Sequence, residues 1–150
     1  MRTQLSIASL LIAFGASLCG AGEVSQSSPL GLAARYLKAR EATMQQGALP
    51  AEVEAALVLC SETLVYEHPR VGIRMEGLDS SREGMLRFLG TTRNARIKVT
   101  ATLPGPDVVA VQTDVAFDGK EGNEWVPVQR QQLWVFEIAD GKIQRIIEYW

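Results

Sequence analysis

His68 is the only histidine in the 150-residue sequence. It sits in "LVYEHP", Leu64 to Pro69, with a tyrosine and a glutamate before it and a proline after it. An imidazole titrates near pH 6.5, so it can take and return a proton at working pH, as general acid–base catalysis requires. Two readings stand: a proton-transfer base facing a ligand, or a helix-end residue bonded to backbone. Pro69 biases the residue before it toward an extended conformation and ends a preceding helix. Other chemistries lack their residues. One histidine with no carboxylate at ligand spacing argues against a metal centre. No phosphate loop, dinucleotide fingerprint or G-x-S-x-G elbow occurs, and no cofactor is expected. Cys60 lies in an apolar stretch with nothing nearby in sequence to lower its pKa, so it reads as packing, not as a nucleophile.

The elements that must position His68 follow from hydrophobic period. "LGLAARYLKAREATMQQG" carries Leu32, Tyr36, Leu37 and Ala39 at helical spacing, with Gly47 as a stop. "LPAEVEAALVLCSETLVYEHP" reads as a second helix, with Pro50 in its first turn, Glu52 and Glu54 at its positive end, and Val53, Leu57, Cys60 and Leu64 inward. His68 would close it. "LDSSREGMLRFLG" is a third helix, capped by Asp79, Ser80 or Ser81 and ended by Gly90. The period then switches to two. "ARIKVTATLPG", "DVVAVQTDVAFDG", "WVPVQRQQLWVFEIADG" and "KIQRIIEYW" read as strands, with "PGP" and Asp140-Gly141 as turns. Three helices followed by about four antiparallel strands predict an α+β fold. A strongly curved sheet of this kind makes a cone with an internal pocket.

The element order and the closing segment "LWVFEIADGKIQRIIEYW" resemble the nuclear transport factor 2-like superfold, most closely its SnoaL-like and ketosteroid isomerase-like branches. The resemblance spans about Leu32 to Trp150. It implies a domain that binds a small hydrophobic molecule, with cofactor-free proton transfer on a carbonyl compound as the activity; the alternative is a non-catalytic ligand-binding or dimerisation domain. A homodimer is expected in either case. Tyr36, in "AARYLKA", falls where the isomerases hold an oxyanion tyrosine. His68 falls where they carry their acidic base, and Gln132 where they carry a protonated aspartate. Two departures of three argue against steroid isomerisation itself. Arg130 shares strand parity with Gln132, Trp134 and Phe136, and Glu148 shares it with Ile146 and Trp150. Family register points all of these inward. Arg130 then either binds a substrate carboxylate or pairs internally with Glu148 or Asp114. Trp134 and Trp150 serve as core and pocket wall, and Glu62 and Glu67 face solvent.

Residues 1–21, "MRTQLSIASLLIAFGASLCGA", have the layout of a secretory signal: Arg2, a short apolar run, then small residues. The run is shorter than the ~20 residues of a membrane span. Lipoprotein processing at Cys19 is disfavoured by the bulky Leu18. Residues 22–30 read as a linker and 31–150 as the domain, exported to the periplasm or medium and not membrane-bound once the signal is removed. The formal net charge of -2 gives no basic footprint for nucleic acid. The 47% apolar content suits a packed core.

Overall fold

A computed structural model describes Ser25 and residues 28–150. The expected signal and most of the expected linker lie outside these residues. Helix α1 spans Pro29–Thr43 and α2 spans Pro50–Leu57. Strand β1 follows directly at Cys60–His68, then a short 3-10 turn at Pro69–Val71, β2 at Ile73–Glu76 and α3 at Gly77–Phe88. The second half is β3 (Thr92–Pro104), β4 (Val108–Glu121), β5 (Glu124–Ala139) and β6 (Lys142–Tyr149). The strands form one six-stranded sheet in the order β2-β1-β6-β5-β4-β3. All neighbours are antiparallel except β1 and β6, which run parallel.

Two expectations are corrected. The sheet has six strands, not about four, and "LVYEHP" is the end of a strand, not of a helix. The helical reading failed because Cys60 and Leu64 lie four apart, a spacing that suits both a helical and a strand period. Helix α2 ends at Leu57 with no glycine or proline to mark the switch. Strand β2 is only four residues long and is bounded by Gly72 and Gly77, both at positive φ (69° and 82°). Those glycines allow the tight reversals on either side of so short an edge strand.

The helix starts follow local chemistry. Ser28 caps α1, its hydroxyl accepting from Gly31 N–H at 3.0 Å. At α2, the Glu52 carboxylate accepts from Leu49 N–H at 2.8 Å. At α3 the cap position is Glu76, ahead of Asp79, Ser80 and Ser81. The core lies between the helices and one sheet face. Leu32, Tyr36 and Leu37 of α1 and Val53, Ala56 and Leu57 of α2 bury against Leu64, Val109, Val111, Trp134, Phe136, Ile143 and Ile146. These expected helix faces are the ones buried.

Register shifts interrupt the ladders between Arg93 and Arg96, between Val99 and Ala101, and between Glu137 and Ile138. Such bulges bend a sheet. The bend near Arg93–Arg96 is held by α1: Glu41 Oε2 accepts from Ile97 N–H at 2.5 Å, and Gln45 Nε2 donates to Ala95 O at 2.8 Å. The sheet therefore curves around the helices without closing into a barrel. Its outer face carries an ion cluster, in which Glu67 accepts from both Arg74 and Arg145 while Arg145 also meets Glu137. Glu67 is thus held by cations on the outer face, and the guanidiniums keep its carboxyl below the ordinary range.

Candidate functional site

Alternation along β1 sends Leu64, Tyr66 and His68 to the helix side of the sheet, while Val65 and Glu67 face out. On β5 the same face carries Arg130, Gln132 and Trp134, and on β6 it carries Ile146 and Glu148. Register brings these together: Trp134 pairs with Glu148, and Thr113 of β4 pairs with Gln132. The polar group of the interior is built from three adjacent strands plus Tyr36 and Arg40 of α1.

His68 ends β1 at φ −130° and ψ 80°, and Pro69 after it opens the 3-10 turn. It is 3% exposed, and neither ring nitrogen has a hydrogen-bond partner. Its ring meets the edge of Trp150 at 4.3 Å between centroids and 86° between planes. Burial pushes the imidazole pKa below its ordinary value; Glu148 opposes this, and Arg130 and Arg70 add to it. His68 is therefore neutral at pH 7, with a free lone pair.

Glu148 is 4% exposed and accepts a short hydrogen bond from the Tyr66 hydroxyl. Burial and the neighbouring carboxylate keep Tyr66 firmly protonated, as a donor to Glu148. Tyr36 is buried edge-on against Phe136, with centroids 5.6 Å apart, and burial pushes its pKa well up. Its hydroxyl donates to no group among the described residues. The charge of Glu148 acts on Tyr66, His68 and Arg130, and more weakly on Tyr36.

Arg130 stacks its guanidinium on Trp150 at 3.9 Å from the ring centroid, with Phe117 at 5.4 Å. Its Nε is buried without a partner. Among the described residues it forms no ion pair, so the expected internal bridge to Glu148 or Asp114 is absent. Asp114 is a correction: it lies on the outer face, where its carboxylate accepts from Gln131 Nε2 at 3.3 Å. Val115 is the residue of β4 opposite Arg130, and a one-residue offset along a strand reverses the face. Trp134 packs in the core, stacked near Phe136, with its Nε1–H donating to Thr113 Oγ1 at 3.2 Å. Its one donor is therefore satisfied. Gln132 is buried beside it, with its amide unpaired among the described residues. Two open outer-face grooves accompany these elements. One of about 450 Å³ is lined by Arg70, Gln112, Gln131, Leu133, Tyr149 and Trp150, and also reaches Gln132. One of about 330 Å³ runs along the Glu67–Arg145 cluster.

Sequence reasoning missed Tyr66 and Arg40. Tyr66 sits two residues before His68, a strand signal that the helical reading of this segment hid. Arg40 lies one turn beyond Tyr36 on α1. Cys60 is buried, and burial pushes its thiol up to about 12. No cluster of metal-ligating side chains exists among the described residues.

An α+β chain with helices over one face of a curved sheet, and buried polar groups on that face, defines a nuclear transport factor 2-like protein. The profile of the SnoaL-like domain matches residues 43–146, and the chain belongs to that family. It is similar in fold to a SnoaL-like polyketide cyclase candidate from Shewanella putrefaciens CN-32, with 11% identity over 95% of this chain and 90% of that one and a TM-score of 0.70. An LEH-like epoxide hydrolase of M. tuberculosis is 24% identical over 77% of this chain and 82% of its own, with a TM-score of 0.55. A protein of ketosteroid isomerase-like fold from Catenulispora acidiphila DSM 44928 is 16% identical over 77% and 84%, with a TM-score of 0.61. No curated protein matches the chain.

Proposed function

We propose that the domain binds a small hydrophobic carbonyl compound and moves a proton on it without a cofactor, as an isomerase or cyclase would. The observation that carries this is His68: buried, neutral, and with both ring nitrogens unpaired beside a carboxylate. An apolar interior does not keep two unsatisfied imidazole nitrogens for packing. In the proposed step a C–H bond next to the carbonyl breaks. The proton goes to a His68 nitrogen, and the electron pair moves onto the carbonyl oxygen. The Tyr36 hydroxyl, still protonated and without a protein acceptor, donates to that oxygen, with the Gln132 amide as second donor. Glu148 stabilises the imidazolium that results, since its charge already favours protonated His68. Tyr66 holds the Glu148 carboxylate in place. The test is deuterium exchange at the α-carbon of a panel of cyclic and 1,3-dicarbonyl ketones, followed by NMR. His68→Gln is expected to reduce protein-dependent exchange roughly 10²–10⁴-fold. Exchange that survives the substitution sinks His68 as the base.

A second reading is supported by the outer face. Leu133 (41% exposed) and Tyr149 (38%) are paired neighbours on β5 and β6, flanked by the Glu67–Arg145 cluster. We infer that two copies meet across this face, which makes it a dimerisation surface whether or not the interior is catalytic. Sedimentation velocity is expected to give a dimer for the natural chain and a monomer for Leu133→Glu. A monomeric natural chain at tens of micromolar would rule the contact out.

A further inference from the structure

Arg40 and Arg130 are two permanent cations whose charges reach the same polar group. Glu148 is the one carboxylate acting on Arg130. Glu41, the nearest acid on α1, turns its carboxylate away to the Ile97 N–H. Every other arginine shown in an ion pair here meets its carboxylate on the surface or the outer face, whereas Arg130 has none. Its Nε is buried and unpaired, and so are both nitrogens of His68, itself 3% exposed. Arg130 and His68 meet the same ring, Trp150, at 3.9 and 4.3 Å.

A buried guanidinium nitrogen without an acceptor is costly. A guanidinium seated over an aromatic ring keeps its N–H donors available for a planar anion such as a carboxylate.

We propose that the ligand of this site carries a carboxylate, taken by the free N–H edge of Arg130 beside His68, with its carbon skeleton along the apolar walls of Trp150 and Phe117. This rests on the interior being the ligand site, as the proton-transfer reading requires. The substrate class narrows from any small carbonyl compound to a carbonyl acid. A bound anion also favours protonation of His68. The groups facing His68 are Glu148 from β6, Arg130 from β5 and Arg70 from the following turn. The ligand's negative charge adds to that of Glu148 against the two arginines. The bound anion therefore makes His68 a stronger base, and binding strengthens as the pH falls toward the imidazole's own titration.

The test uses two matched pairs, benzoate with benzamide and hexanoate with hexanamide, titrated into the protein while following the single histidine signal by NMR. In at least one pair the carboxylate is expected to bind roughly tenfold or more tightly than the amide. That preference is expected to grow between pH 8 and pH 6 and to collapse in Arg130→Gln, with partial recovery in Arg130→Lys. Should Arg130→Gln not fold, the preference in the natural protein, its pH trend and the lysine variant decide the matter. Amides that move the His68 signal as well as or better than carboxylates overturn the anion and leave the proton-transfer site standing. No response to any of the four compounds overturns both. A preference unchanged in Arg130→Gln places the anion elsewhere and overturns the role given to Arg130.

Discussion

Trp134→Ala is expected to lose about 3–5 kcal/mol of unfolding free energy, the range for a large aromatic removed from a core. Trp134 is 1% exposed, lies near-parallel to Phe136 with centroids 6.1 Å apart, and pairs with Val111 on one side and Glu148 on the other. Its loss leaves a cavity in the middle of β5 and also strips the wall beside the buried carboxylate. A domain of this size has roughly 5–15 kcal/mol in all, so the variant should sit near the edge of folding. Urea unfolding followed by circular dichroism measures the change, since the variant lacks one of its fluorophores. Thr113→Val separates volume from hydrogen bonding. It keeps the shape but removes the acceptor of Trp134 Nε1, and about 1–3 kcal/mol is expected from that unpaired donor. A loss under about 1.5 kcal/mol for Trp134→Ala would mean that β4 and β5 can collapse over the gap, and that the polar interior is not rigidly framed.

Glu148→Ala is expected to cost about 2–4 kcal/mol. That lies between the value of a hydrogen bond to a charged group and that of a broken buried ion pair. The side chain is the acceptor for Tyr66 and the negative centre facing Arg130, His68 and Tyr36. Glu148→Gln keeps an oxygen for Tyr66 while removing the charge, and it isolates the electrostatic part. The sign follows from the surroundings of His68. Burial holds the imidazole below its ordinary pKa, and Glu148 raises it against that trend. Without the charge, the His68 pKa moves further down. In the native protein the unfolded chain binds more protons than the folded one between the lowered pKa and about 6.5, so stability falls as the pH drops through that window. In Glu148→Gln the window extends to lower pH. One histidine gives one titration curve, so NMR reads the shift without assignment ambiguity. A His68 pKa that stays put or rises in Glu148→Gln would show that the two side chains do not share a site.

Much of this architecture was written in the hydrophobic periods. The helix α1 face of Leu32, Tyr36 and Leu37 and the β4 face of Val109, Val111 and Val115 follow one clear period and are buried, whereas the apolar face of β3 is not: Val99 and Leu103 are exposed. Strand parity set Arg130 beside Gln132, the family resemblance pointed them and Glu148 inward, and Gln132 and Glu148 are buried on that side. What was not legible lies between Val58 and Glu76. There the chain changes from helix to strand without a turn residue, and β1 is held by pairing with β6, about eighty residues away in sequence. Local preference carries no trace of a partner so distant. The same segment supplies Tyr66, so the error in one element also hid the donor to Glu148. Asp114 was offered as a partner for Arg130 although strand parity sets it with Gln112 on the polar face of β4, where it is exposed. The pairing of Arg130 was open in the sequence because a strand's parity says which side a guanidinium takes, not whether a carboxylate reaches it.

The order of the sheet has a further consequence. Strands β2 and β1 belong to the helical half of the chain, and β5, β4 and β3 form a local meander. The two groups share no ladder with each other. Only β6 touches both, parallel to β1 on one edge and antiparallel to β5 on the other. It works as a zip between two halves, and Glu148 rides on it. A substitution that displaced β6 would not thin the sheet evenly. It would part the molecule along one seam, separating Tyr66 and His68 from Arg130 and Gln132. The buried polar group and the continuity of the sheet therefore stand or fall on the same eight residues.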